Sequence, residues 1–408
     1  MLKRHIMKEL NAHLNLMPVV LLKGARQAGK TTLVEEFAKE RGYSYVTFDD
    51  EIPLASALRD PAGWIMSLPK PIIIDEVQRV PEIFLPIKRE VDQNRTPGRY
   101  LLTGSANPLL SPRLGDSLAG RMGILNLFPF SQGEIQQKNE TFLSKIFADS
   151  FTNENVDPFS PSALYQTILR GGFPSVQNLS DPKDIKRWVR SYLQTMMERD
   201  VRDLSNIEGL RDFPRLLQLL ATRSAKLLNV ADVARNMGMV TMTLSRYLGL
   251  LEALFMIYLL PGWYTNLGKR LIKSPKLHLC DTAIMAQLMD INEARLQGDP
   301  SLTGYFLETF VFTELLKQKS WSSIPFELYH FRDGDDEVDF ILERPDRTIV
   351  GIEVKNARSL NKDDLKGLQH LQKIGKEHFK RGIILHPSDK IEFLGNDLWA
   401  VPLQLLWK

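Results

Sequence analysis

The chain has 408 residues, 43% of them apolar and 25% charged, with a formal net charge of +3. That length suits two to four domains with cores of their own, and so small a charge confines any nucleic-acid surface to a local patch. The one cysteine, Cys280, leaves no internal disulfide framework and fits a reducing cytoplasm. No apolar run reaches the ~20 residues of a membrane span, and the short basic N-terminal stretch, broken by Pro18, does not read as a cleavable signal, so no membrane partner is expected.

In chain order, the first informative element is the apolar run Pro18-Val19-Val20-Leu21-Leu22, which reads as a buried strand. It runs into Gly24-Ala25-Arg26-Gln27-Ala28-Gly29-Lys30-Thr31, which fits G-x-x-x-x-G-K-[ST] at every fixed position, and then into a helix start at Thr32. Glycines let such a loop curl so that its N–H groups face phosphate oxygens, and the helix N-terminus adds partial positive charge. Residues Gly24 to Thr32 are therefore expected to hold ATP, with Lys30 on the β- and γ-phosphates and the Thr31 hydroxyl on Mg²⁺. The bland alternative is a glycine turn that happens to precede a helix. A partner motif disfavours it: Pro71-Ile72-Ile73-Ile74-Asp75-Glu76 is an apolar strand tipped with acid, where Asp75 would support the metal and Glu76 would polarise the attacking water.

A further strand, Arg99 to Ser105, ends in hydroxyls, and Thr103 or Ser105 could sense the γ-phosphate; a strand with a polar turn explains either hydroxyl alone equally well. Strands over 18–23, 44–48, 71–75, 99–104 and 123–128 alternate with helical patterns, which predicts a parallel sheet with helices on both faces. Residues 140–165 turn loop-like, and 163–225 read as charged helices whose surface is solvated.

Residues 226–280 carry helix-turn-helix spacing: a capped helix from Asn229 to a stop at Gly238, then a second helix from Thr241. Two strands follow, 255–260 and 277–280, joined by a loop bearing Lys269, Arg270, Lys273 and Lys276. As a winged helix this would place Arg246 near a DNA groove and the four loop cations on phosphates; a structural or protein-contact module is the other reading.

In the C-terminal part, Val338, Phe340 and Leu342 are expected on one strand face with Asp339 on the other, and Glu353 and Lys355 share a face of the next strand. Asp339 followed by Glu353-x-Lys355 matches the D…E-x-K arrangement of a metal-dependent nuclease, two carboxylates for Mg²⁺ and a lysine for water or phosphate. Glu308 on a preceding helix could complete the set, with Gln369 a weaker candidate; strand-surface charge with a Glu353–Lys355 ion pair is the plain alternative.

Together these motifs resemble the prokaryotic AAA-type ATPases that carry a winged-helix middle and a C-terminal domain of unknown function related to the PD-(D/E)xK nucleases. Leu118-Ala119-Gly120-Arg121, Gly171-Gly172-Phe173-Pro174 and Glu198-Arg199-Asp200 add to the resemblance. It implies a P-loop α/β domain over 1–135, a helical linker over 136–225, a winged helix over 226–280 and a small α/β nuclease-like domain over 281–408. It further implies homo-oligomers and a phosphate-contacting arginine, Arg121 with Arg113 as the alternative. Val338 stands where the family has the proline of its PD motif. The expected function is ATP hydrolysis coupled to DNA or another partner; an ATP-gated nuclease and a nucleotide-dependent signalling switch are the alternatives.

Overall fold

The structure, a computed structural model, describes residues 2–105, 118–148, 156, 160–200, 212–270 and 273–408, with backbone alone at 199, 200, 267 and 269. It divides into two compact units, one of residues 1–130 with 253–255 and one of residues 131–252 with 256–408. Among the described residues no helix is long and apolar enough to cross a membrane.

In the first unit, five short segments form the strands β1 (Val19–Lys23), β2 (Ser44–Thr47), β3 (Ile72–Asp75), β4 (Tyr100–Gly104) and β5 (Met122–Asn126). All pair in parallel, in the order β2-β3-β4-β1-β5. Strand alternation splits the apolar residues between two cores. Val19, Leu21, Ile72, Ile74 and Leu102 pack with Phe84, Ile87 and Val91 of the helix Phe84–Gln93 on one face. Val20, Leu22, Ile73 and Leu101 pack on the other face with Leu33, Val34 and Phe37 of the helix Lys30–Arg41 and with Leu10 and Leu14 of the helix Met7–Leu16. This is the expected parallel sheet with helices on both faces, which aligns the C-terminal ends of β1, β4 and β3 along one edge.

The second unit begins in helices. Asn229 caps the helix Val230–Met237, Gly238 ends it in the left-handed region, and the helix Thr241–Ala253 follows. A small antiparallel sheet joins β6 (Lys226–Leu227), β7 (Ile257–Leu260) and β8 (Lys276–Leu279) in the order β6-β8-β7. A six-stranded mixed sheet comprises β9 (Glu327–Asp333), β10 (Asp336–Glu343), β11 (Ile349–Val354), β12 (Phe379–His386), β13 (Glu392–Gly395) and β14 (Leu398–Pro402), ordered β13-β14-β12-β11-β10-β9.

The expected alternation on β10 fails at a bulge. The β10–β9 register shifts between Val338 and Ile341, and these two residues, three apart, lie in one core with Leu368 and Leu371. Phe340 faces elsewhere, against Phe312 of the helix Pro300–Lys319 and His278 of β8. A bulge places two residues of one strand against one of its partner and re-aims their side chains.

The Gly171-Gly172 pair has a local cause as well. Gly171 has φ +66°, and a Cβ there would lie 2.2 Å from Asp281 Oδ1. Asp281 is buried, caps the helix Thr282–Met289 through the Ala283 and Ile284 N–H groups, and accepts from the Gly172 N–H at 2.8 Å.

Candidate functional site

The loop after β1 closes tightly on its surroundings. A Cβ on Gly24 would lie 2.1 Å from the Leu127 carbonyl oxygen, so no larger residue fits without moving backbone. Gln27 and Gly29 both take positive φ, and Arg4 ties the loop from below, donating to the Ala28 carbonyl at 3.0 Å and to the Phe128 carbonyl at 2.5 Å. Ala25 and Ala28 are buried and Arg26 is half-buried, while the side chains of Thr31 and Thr32 are exposed. Lys30 is folded over the loop, its Nζ 2.9 Å from the Gly24 carbonyl and 3.0 Å from that of Ala25.

Strand order brings the acidic tip of β3 next to this loop, because β4 alone separates β3 from β1. Thr31 Oγ1 donates to Asp75 Oδ2 at 2.8 Å, Tyr45 donates to the same oxygen at 3.2 Å, and Thr103 donates to Asp75 Oδ1. Burial, then the Asp75 charge, pushes the Tyr45 hydroxyl far up, so it stays a donor. Thr103 also accepts from the Glu76 N–H at 3.2 Å, which holds that residue at φ +60°. The Glu76 carboxylate in turn accepts from Gln78 Nε2 and, at 3.3 Å, from the Ser105 hydroxyl. Gln78 also donates to Ser105 at 2.9 Å. The structure thus joins Lys30, Thr31, Asp75, Glu76, Thr103 and Ser105 along one edge. Three members have no role assigned from sequence: Gln78, which ends the Asp75-Glu76-Val77-Gln78 piece of the family resemblance, and Tyr45 and Arg4, which carry no local signal.

The residues fit a magnesium nucleotide. Thr31 and Asp75 present adjacent hard oxygens, the donor type Mg²⁺ takes, and Lys30 supplies a cation beside them on the same loop.

Arg121 lies elsewhere. Its carbonyl accepts from Val19 N–H at the start of β1, and its Nε donates to Asp92 at 2.5 Å. It therefore sits at the opposite end of the strands from Gly24, about 16 Å away at ~3.3 Å per residue, out of reach of the phosphates of its own loop. Arg113 lies outside the described residues.

In the second unit Glu308, Asp339, Glu353 and Lys355 line one cavity of about 760 Å³. Val354 N–H donates to Asp339 Oδ2 at 2.9 Å, and Lys355 Nζ lies 2.9 Å from Glu353 Oε1 and 3.6 Å from Asp364 Oδ1. Gln369 is exposed and does not line the cavity. Burial, then the Asp339 charge, pushes the Glu353 carboxyl up to about 8. The same two causes raise Glu308 well above the carboxylate range.

The basic loop needs correction. Lys276 is the first residue of β8 and fully buried, and its Nζ lies 2.7 Å from Glu308 Oε1, 2.7 Å from Glu337 Oε1 and 3.3 Å from Asp339 Oδ1. Arg270 grips Glu343 with both terminal nitrogens and stacks over Trp263 and Tyr329. Neither is available to phosphate. Lys273 is exposed, over the Tyr264 ring, and the Lys269 side chain lies outside the described residues. Arg246 is exposed on its helix, near exposed Val240 and Met242.

A family model described as an AAA domain matches residues 17–136. Two domains of unknown function, DUF8612 and DUF4143, match residues 161–295 and 303–406. The chain is 31% identical over 405 residues to uncharacterized proteins Rv2008c of Mycobacterium tuberculosis and Mb2031c of Mycobacterium bovis, covering 98% of this chain and 83% of each relative. It is 22% identical over 349 residues to uncharacterized protein MJ1544 of Methanocaldococcus jannaschii, covering 82% of this chain and 74% of that one. Among solved structures, the Walker-type ATPase PABY2304 of Pyrococcus abyssi aligns at 14% identity and a TM-score of 0.43, over 71% of this chain and 96% of that one.

Proposed function

We propose that this chain, which belongs to the AAA-domain family of Rv2008c and Mb2031c, binds ATP with Mg²⁺ over residues 24–32 and hydrolyses it. The observation that carries the reading is the hydrogen-bonded line from Thr31 on the helix after the loop, through Asp75 of β3 and Thr103 of β4, to Glu76. When bound, Mg²⁺ would neutralise phosphate charge. Lys30 would leave the Gly24 and Ala25 carbonyls for phosphate oxygens, Thr31 and Asp75 would hold the metal, and Thr103 keeps Asp75 oriented. Glu76 accepts a hydrogen bond from the attacking water, and Gln78 and Ser105 fix the direction of that carboxylate. The two steps separate by mutation. Lys30→Ala should weaken ATP binding by roughly 10- to 150-fold for each charge-assisted hydrogen bond lost. Glu76→Gln should keep binding and lower kcat by roughly 10²- to 10⁴-fold. Calorimetry with a turnover assay tests this, and an equal loss of binding in both variants would overturn the assigned roles.

The same reading makes turnover responsive to a partner. Arg270 and Lys276 are committed to ion pairs, and Met242 is exposed one helical turn before Arg246, which favours a protein partner over DNA. ATP turnover indifferent to single-stranded, duplex and branched DNA is the expected result; strong stimulation by any of them would restore the DNA reading. Arg121, unable to reach its own loop, is assigned to the site of a neighbouring subunit in a homo-oligomer.

A further inference from the structure

The D…E-x-K arrangement implies a divalent metal among Glu308, Asp339 and Glu353, and the cavity brings these carboxylates together. The donor set does not fit one. Glu308 Oε1 and Asp339 Oδ1 both face the Lys276 ammonium, at 2.7 and 3.3 Å, and Glu337 Oε1 is a third partner at 2.7 Å. Asp339 Oδ2 is committed to the Val354 N–H and Glu353 Oε1 to Lys355; Glu353 Oε2 is buried without a hydrogen-bond partner, but one such oxygen does not make a ligand set. An oxygen-liganded Mg²⁺ sits roughly 2.0–2.1 Å from its donors. Drawing on these same oxygens, it would have to share their space with a buried ammonium.

We propose that Lys276 is the built-in cation of this carboxylate cluster, standing where a divalent metal would otherwise bind, so that residues 131–408 carry a metal-independent site.

Two further observations agree. The β10 bulge turns Asp339 and Phe340 toward neighbours of the helix Pro300–Lys319: Asp339 shares Lys276 with Glu308, while Phe340 meets Phe312. The geometry is therefore built around the lysine. Each carboxylate of the cluster also has a cation of this chain beside it: Glu308, Glu337 and Asp339 have Lys276, and Glu353 and Asp364 have Lys355.

The test uses the nucleotide-free full chain in a Thr31→Ala background, so that the loop after β1 contributes no metal site. Mn²⁺ is titrated by electron paramagnetic resonance, and thermal unfolding is followed with and without it. The parent should show no saturable Mn²⁺ binding tighter than about 1 mM, the weak end of all-oxygen sites, and no Mn²⁺-dependent Tm. Lys276→Met should unfold at lower temperature, gain one Mn²⁺ site at least about tenfold tighter, and regain stability with the metal; Asp339→Asn added to it should abolish the gain. If Lys276→Met is unfolded without metal, recovery by Mn²⁺ supports the proposal and failure to recover counts against it. Mn²⁺ bound by the parent and lost on Asp339→Asn would overturn it, as would a folded Lys276→Met indifferent to Mn²⁺.

Discussion

Asp281→Ala should destabilise the protein substantially although Asp281 touches neither candidate site. Its carboxylate accepts from the Gly172 and Ala283 N–H groups at 2.8 Å each and from the Ile284 N–H at 3.4 Å. Losing the helix cap costs about 1 kcal/mol. Leaving the buried Gly172 N–H without an acceptor costs roughly 1–3 kcal/mol more. Part is offset, because burial raises the Asp281 carboxyl against the pull of its N–H donors, so the native charge is itself expensive. The net is about 2–3 kcal/mol, a fall in Tm on the order of 5–10 °C. Asp281→Asn keeps an acceptor oxygen at the cap and should cost about half as much. Thermal circular dichroism measures both. Trp188 fluorescence reports locally, since its ring stacks on Tyr192 and meets Phe173, the residue after Gly172. A Tm for Asp281→Ala unchanged from the parent, or an asparagine variant as damaged as the alanine one, would refute the reasoning.

Glu353 makes stability depend on pH. Its carboxyl rises from an ordinary 4.5 to about 8 on folding, so between those values the native state holds more protons than the unfolded chain and stability falls as pH rises. Glu353→Gln should flatten that fall between pH 5 and 8.5 in urea midpoints; a parent whose midpoint rises across the window relative to the variant would contradict it. Arg121→Ala should lose turnover with little loss of ATP binding. Mixing it with Lys30→Ala should recover part of the rate, since the second variant supplies the arginine and the first the intact loop. No recovery in a mixture shown to co-assemble would remove Arg121 from the neighbouring site.

The loop after β1 and most of the sheet that presents it are legible in the residues alone. Residues 24–31 are contiguous, their conformation follows from local glycines and a helix start, and the three inner strands β1, β3 and β4 announce themselves as short apolar runs because they are buried on both faces, while the edge strands β2 and β5 are partly exposed. Asp75 and Glu76 were legible for the same reason, sitting at the end of such a run. What the cations do depends on the folded packing. Lys276 looked like the tip of a basic loop, one residue before an apolar strand. Folding makes it the first residue of β8 and surrounds it with carboxylates 32, 61 and 63 positions later in the chain. The β10 bulge that turns Asp339 toward it depends on pairing with β9, which residue periodicity does not encode. A charge reads as a surface charge until its counter-ions are brought to it, and counter-ions that distant in sequence meet only through the packing of separate strands and a helix.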